Sequence, residues 1–158
     1  MQLMKVNKDQ PEQVFAICKN GESSALSGGS AVCYDYTTDA DGNTVIEPTT
    51  AMLYAFAGVV ANGETLGTSG NHEEYGRVQV YGHHPGVYMA GTTVTAGAIM
   101  HPVDSASYVT LGVTINDANS TALDNVMNGA KWIVAGEAAC VIATSTFGNT
   151  YKAFIRAL

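Results

Sequence analysis

Glu74-Tyr-Gly-Arg-Val-Gln-Val-Tyr-Gly-His-His-Pro-Gly-Val-Tyr-Met-Ala-Gly91 is the stretch that decides how this chain folds. Large apolar and polar residues alternate along it, glycines interrupt it, and Pro85 sits past its middle. Val78 and Val80, and then Val87 and Met89, recur at period two, the spacing of a half-buried strand. This predicts a strand over Arg77–Tyr81, a turn over Gly-His-His-Pro-Gly, and a second strand over Val87–Ala90. No nucleophile, base and orienting group come together there. The segment is suited to packing and pairing.

The same rhythm extends in both directions. Val14–Cys18 and Ala31–Tyr36 predict strands, and Thr44–Glu47 predicts a return strand before Pro48. Asn20-Gly21 and Asp41-Gly42 are hairpin-type turn signals. Ala51–Val60 fits a short helix or a buried strand, with Gly58 and the paired valines favouring the strand. Asn62–Asn71 is polar and Gly-rich and predicts a mobile loop. Further on, Val94–Met100 and Tyr108–Ile115 predict strands, the latter with Val109, Leu111, Val113 and Ile115 on one side. Asp117–Met127 has room for one helical turn capped by Ser120 or Thr121. Lys131–Ala135, Ala138–Ser145 and Tyr151–Leu158 close the chain as strands. Turns recur about every ten residues, the rhythm of a sandwich or barrel. The expectation is an all-β fold, a sandwich or jelly roll or a barrel. An extended arm over residues 1–12 precedes a single β-rich domain over residues 13–158.

Composition narrows the function. The chain has 158 residues, enough for one domain with a real core. Charged residues are only 13%, against a usual share of about 25%. A surface so poor in charge suggests cover by another protein. Net charge is −7, and no Lys or Arg lies between Lys19 and Arg77, an interval rich in acids. That balance repels nucleic acid and anionic lipid. The bases collect towards the ends, as Lys5, Lys8, Lys19, Lys131, Lys152 and Arg156. The first reading of this pattern is a solvated acidic face, and the alternative is that the termini meet an acidic partner while the middle faces water. The first residues carry no long apolar region or cleavage signal, so no secretory leader is expected. The apolar run from Ala51 to Ala61 is too short to span a bilayer.

Chemistry-bearing patterns are weak. Cys18, Cys33 and Cys140 are odd in number and lack paired spacing, which argues against a disulfide framework and for a reducing cytoplasm as the place of synthesis. Cys18 and Cys140 sit in apolar runs and are expected to be buried and inert. Asp39-Ala-Asp-Gly-Asn opens like a calcium loop, but Gly42 is fourth and position twelve is Thr50, so an Asp-Gly turn is the better reading. His83 and His84 are adjacent and point to opposite faces of a strand, so surface or turn histidines are expected rather than a metal pair. Ser27-Gly-Gly-Ser is neither a nucleophile elbow nor a phosphate loop. No catalytic residue, cofactor site or metal site is expected. Eight tyrosines supply rigid amphipathic rings. Tyr81 and Tyr88, with Arg77, Trp132 and Arg156, are of the types that anchor interfaces.

Several phrases, taken in order, resemble the head-decoration, or capsid cement, proteins of tailed bacteriophages. They are Gly58-Val-Val-Ala, Glu74-Tyr-Gly-Arg-Val-Gln-Val-Tyr-Gly-His and Thr93-Val-Thr-Ala-Gly-Ala-Ile-Met-His-Pro102. The opening Lys5-Val-Asn-Lys, Val14-Phe-Ala-Ile-Cys and the closing Tyr151-Lys-Ala-Phe-Ile-Arg-Ala-Leu158 resemble that family too. Residues 116–130 lie outside the resemblance.

The resemblance implies a small β domain added to the outside of an assembled icosahedral head. It would bridge neighbouring capsomers as a trimer or monomer, with a trimer favoured. The implied partners are the major capsid protein and further copies of the chain, with no nucleic acid and no membrane. Interfaces of roughly 1,200–2,000 Å² repeated over a lattice suffice through avidity. The interface residues expected are Lys5, Lys8, Arg77, Tyr81, Tyr88, Trp132 and Arg156. The place of action would be the outer capsid surface of the virion, after synthesis in the host cytoplasm. A carbohydrate-binding module using Tyr75, Tyr81 and Tyr88, and a tail or neck component, are the competing classes.

Overall fold

The computed structural model of the chain describes residues 12–89, 93–94, 99–111, 132–135, 140–141 and 150–157. The strands are β1 (Gln13–Asn20), β2 (Leu26–Ser27), β3 (Ala31–Tyr34), β4 (Thr44–Ile46), β5 (Phe56–Val60), β6 (Thr65–Leu66) and β7 (Tyr75–Tyr88). They continue as β8 (Thr93–Val94), β9 (Ile99–Pro102), β10 (Val109–Leu111), β11 (Trp132–Ala135), β12 (Cys140–Val141) and β13 (Thr150–Arg156). A 3-10 turn at Leu53–Ala55 is the one helical element among the described residues. The fold is all-β. The expected arm, with Lys5 and Lys8, and the expected helical turn after Asp117 lie outside the described residues.

Five strands close a barrel in the order β1-β4-β3-β5-β7 and back to β1. The β1–β4 contact is parallel and the other four are antiparallel. Closure occurs because β7 pairs with β5 along one edge and β1 along the other, and the end of β1 meets β4 through Lys19 and Asn20. Inside lie Cys18, Val32, Val45, Ala57, Val60 and Val78, sealed by Leu26 and Leu66 from the small β2–β6 ribbon. Each fully buried Val or Leu contributes about 1.5–3 kcal/mol.

β7 outgrows this barrel. It pairs with β1 from Tyr75 to Gly82 and with β13 from Tyr81 to Tyr88. Tyr81 and Gly82 have partners in both strands, so β1 and β13 flank opposite edges of β7. β13 leads to β11, β9 and β10, extending the sheet beyond the barrel. A second core forms there from Phe56, Val59, Val80, Val87, Met89, Met100, Val109, Ala153 and Ile155. β5 is buried at every position because it stands between the two cores, Ala57 and Val60 facing one and Phe56 and Val59 the other.

The valine pattern that announced β7 contains a change of phase, and a bulge explains it. His84 is opposite Ala153 while Val87 is opposite Tyr151, so β7 spends three steps where β13 spends two. Pro85 and Gly86 absorb the extra residue, and a proline without an N–H is tolerated at a bulge. The turn expected at Gly-His-His-Pro-Gly is therefore corrected: one strand of 14 residues runs straight through it. Gly82, at φ +100°, allows the approach of β1, since a Cβ there would collide with the Glu12 carbonyl.

Other boundaries moved for physical reasons. Asn20-Gly21 closes no hairpin, because β1 finds its partners in β4 and β7 and the Asn20 side chain is committed elsewhere. Its amide donates to the carbonyls of Ser24 and Gly67, both at 2.8 Å, and its Oδ1 accepts from the Glu22 N–H at 2.9 Å. The hairpin at Asp41-Gly42 does form, joining β3 to β4, with Gly42 at φ +72°. Ala51–Val60 holds both structures it was suited to, a 3-10 turn and then a strand. The Gly-rich segment after Asn62 contains β6, whose Leu66 is fully buried.

Candidate interaction face

β1, β7 and β13 lie side by side and present one outer surface. Across it Ile17 is opposite Arg77, Lys19 opposite Tyr75, Arg156 opposite Tyr81, and Phe154 opposite His83. Ile17 is 63% exposed, Tyr75 57%, Phe154 41% and Val14 37%. Tyr36, in the β3–β4 loop, is exposed as well. Isolated exposed hydrophobics are ordinary, but their concentration on three adjacent strands is not.

The polar residues of this face are fixed. Arg77 Nε donates to Glu64 Oε1 at 2.5 Å, and the Arg77 backbone N–H donates to Glu64 Oε2 at 2.9 Å. The guanidinium also lies 5.1 Å from the centre of the Phe15 ring. Lys19 Nζ stands 3.6 Å from Glu74 Oε1. Exposed pairs of this kind are worth about 0–1 kcal/mol, so their effect here is to hold side chains in place and balance charge locally. Tyr81 and Phe154 meet edge to face, with centroids 5.2 Å apart and planes at 82°. That arrangement gives a rigid aromatic ridge at little entropic cost on docking.

Of the residues expected at an interface, Arg77, Tyr81 and Arg156 share this face. Trp132 is the backbone partner of Arg156 on β11. Tyr88 does not join them: it stands beyond the bulge, where its N–H donates to the Gly29 carbonyl at 2.9 Å. Tyr75 and Tyr88 mark the two ends of β7, about 40 Å apart at strand rise. Tyr75, Tyr81 and Tyr88 therefore form no single stacking platform. Sequence reasoning missed Val14, Phe15, Ile17 and Phe154. The available signal was Val14-Phe-Ala-Ile-Cys, which is apolar on both phases of a strand that needs only one apolar face.

Several other chemistry-bearing residues are engaged in the fold. The expectation of surface or turn histidines fails at His84, which is fully buried. His83, opposite Phe154, is only partly covered. Burial pushes the Cys18 thiol up to about 11, which keeps it protonated. Asp39 accepts from the Thr44 hydroxyl at 2.7 Å and the Asp41 N–H at 3.0 Å, which ties it to its own turn. Among the described residues no three His, Cys, Asp or Glu side chains gather in a metal-binding group. No helix among them is long and apolar enough to cross a membrane.

Comparison with known protein families, with characterised proteins and with solved structures found no match. The face combines exposed aromatic and aliphatic side chains with the Arg77–Glu64 and Lys19–Glu74 ion pairs.

Proposed function

We propose that this chain is a structural virion protein that attaches to the outer surface of an assembled phage head and reinforces contacts between capsomers. The observation that carries the reading is the β1–β7–β13 face, where Ile17, Phe154 and Val14 stand exposed beside the clamped Arg77 and the Tyr81–Phe154 pair. The phrases resembling capsid cement proteins support it, as does the low charge content. A barrel with few open edges suits a protein that must stay soluble until it docks. The partners proposed are the major capsid protein and further copies of the chain, as a trimer. No catalytic step, cofactor or metal enters the reading.

The test is co-sedimentation of the purified full chain with heads that lack it, followed by a count of copies per head. Saturation at a copy number set by the lattice, with greater survival of decorated heads under heat or low salt, is the expected result. Absence of binding at any concentration sinks the proposal. Retention on a polysaccharide column would then favour the sugar-binding class, and co-purification with tails the tail or neck class.

A further inference from the structure

His84 is fully buried on β7, at the bulge in its pairing with β13. Its Nδ1 accepts from the Gly86 N–H at 3.1 Å. Its Nε2 lies 3.1 Å from the Val60 carbonyl oxygen and must donate to it, because a carbonyl only accepts. The two contacts together fix the neutral tautomer with the proton on Nε2. The Val60 carbonyl also accepts from the Gly29 N–H at 2.9 Å, so the ring ties the bulge, the end of β5 and the turn before β3 into one node.

We propose that His84 is an acid-sensitive latch whose protonation at Nδ1 releases the β7 bulge and loosens the β7–β13 junction. A second proton on the ring would place an N–H donor against the Gly86 N–H donor, so the charged ring cannot keep this geometry. The proton comes from solvent and enters when the junction opens. The Gly86 N–H then loses its acceptor while the Val60 contact is retained or lost with the ring. Among the described residues the titratable group acting on His84 is its neighbour His83, which opposes a charge there. The facing positions on β5 and β13, Val60 and Ala153, bring no charge. Burial holds the ring below its ordinary range.

The sign of the effect follows from linkage. An opened ring titrates near about 6.5, while the latched ring resists protonation, so opening takes up a proton as pH falls through that value. The full chain is followed by amide hydrogen exchange at about pH 7.5 and about pH 5.5, corrected for the intrinsic pH dependence of exchange. Opening at Gly86, Ala153 and Ile155 is expected to rise about tenfold over that interval. His84→Gln supplies a donor and an acceptor with no titrating proton, and is expected to flatten the response. Equal responses in the two proteins overturn the proposal. Should the variant fail to fold, nitrogen NMR of the wild-type ring decides: a bare Nδ1 persisting well below about pH 6.5 supports the latch. An imidazole that titrates at its ordinary value, or carries its proton on Nδ1, refutes it.

Discussion

The backbone of Gly58 on β5 runs so close to the Gln79 carbonyl on β7 that a Cβ on Gly58 would overlap that oxygen. Gly58 also stands at φ +143°, a conformation that side chains rarely adopt. The approach occurs where β5 carries an extra residue against β3, since Val32 faces Gly58 while Cys33 faces Phe56. Gly58→Ala is expected to cost about 3 kcal/mol, from strain plus a backbone clash. Urea denaturation measures it, and a loss below about 1 kcal/mol would show that the strands separate easily there.

Asn20 links the end of β1 to the loops carrying Glu22, Ser24 and Gly67. Asn20→Ala removes these bonds to part-buried backbone groups from a buried side chain and is expected to cost about 1–3 kcal/mol. Asn20→Asp replaces the donating amide with a carboxylate facing carbonyl oxygens. Its penalty should grow as pH rises through the ordinary carboxylate range, a trend that thermal melts across pH will reveal.

Acid stability depends on Asp35. Burial raises its pKa, but hydrogen bonds from the hydroxyls and N–H groups of Thr37 and Thr38 outweigh this and hold the carboxyl below its ordinary value. A carboxyl depressed in the folded state contributes stability that is complete above its unfolded pKa, near about 3.9, and disappears as pH falls through the folded value. Asp35→Asn should therefore lower stability at neutral pH and flatten its decline below about pH 4. A decline as steep as that of the wild type would assign the acid sensitivity to other groups.

Surface and fold can be separated at Ile17. Because that side chain is 63% exposed, Ile17→Asp should change stability by no more than about 0.5 kcal/mol. Head binding should fall by more than about tenfold if the β1–β7–β13 face docks on the shell. Removal of residues 1–12 is expected to leave the protein folded and also to abolish binding. Loss with the truncation but not with Ile17→Asp would move the contact to the N-terminal segment.

The Cys18 thiol, held protonated with a pKa of about 11, should resist iodoacetamide at about pH 8 in the native protein and react once denaturant is added. Rapid native labelling, located by mass spectrometry, would mean that the barrel opens readily around β1.

Short apolar runs bounded by turn residues disclosed their strands. Val14–Cys18 read directly, the strand expected over Ala31–Tyr36 ends at Tyr34, and the Asp41-Gly42 turn was visible because its residues act locally. The opposite holds for Gly82–Gly86. Gly, His and Pro favour a turn locally, but pairing with β13, whose residues lie some seventy positions away, keeps the segment extended. Asn20-Gly21 misled in the same way. The phase change between Val80 and Val87 did carry the bulge, but it becomes interpretable only once β13 supplies the register. The candidate face was half legible. Tyr81, Arg77 and Arg156 stood out by residue type, whereas Ile17 and Phe154 resemble core residues until the partner strands fix which side they occupy.

One continuous strand serving two cores has a mechanical consequence. β1 and β5 grip β7 along its first part and β13 grips it along its second. Tension applied through β13 reaches the barrel as shear along the axis of β7, loading many ladder contacts together instead of peeling them singly. β7 thus acts as a beam between the two halves, and sliding it out would require both cores to yield at once.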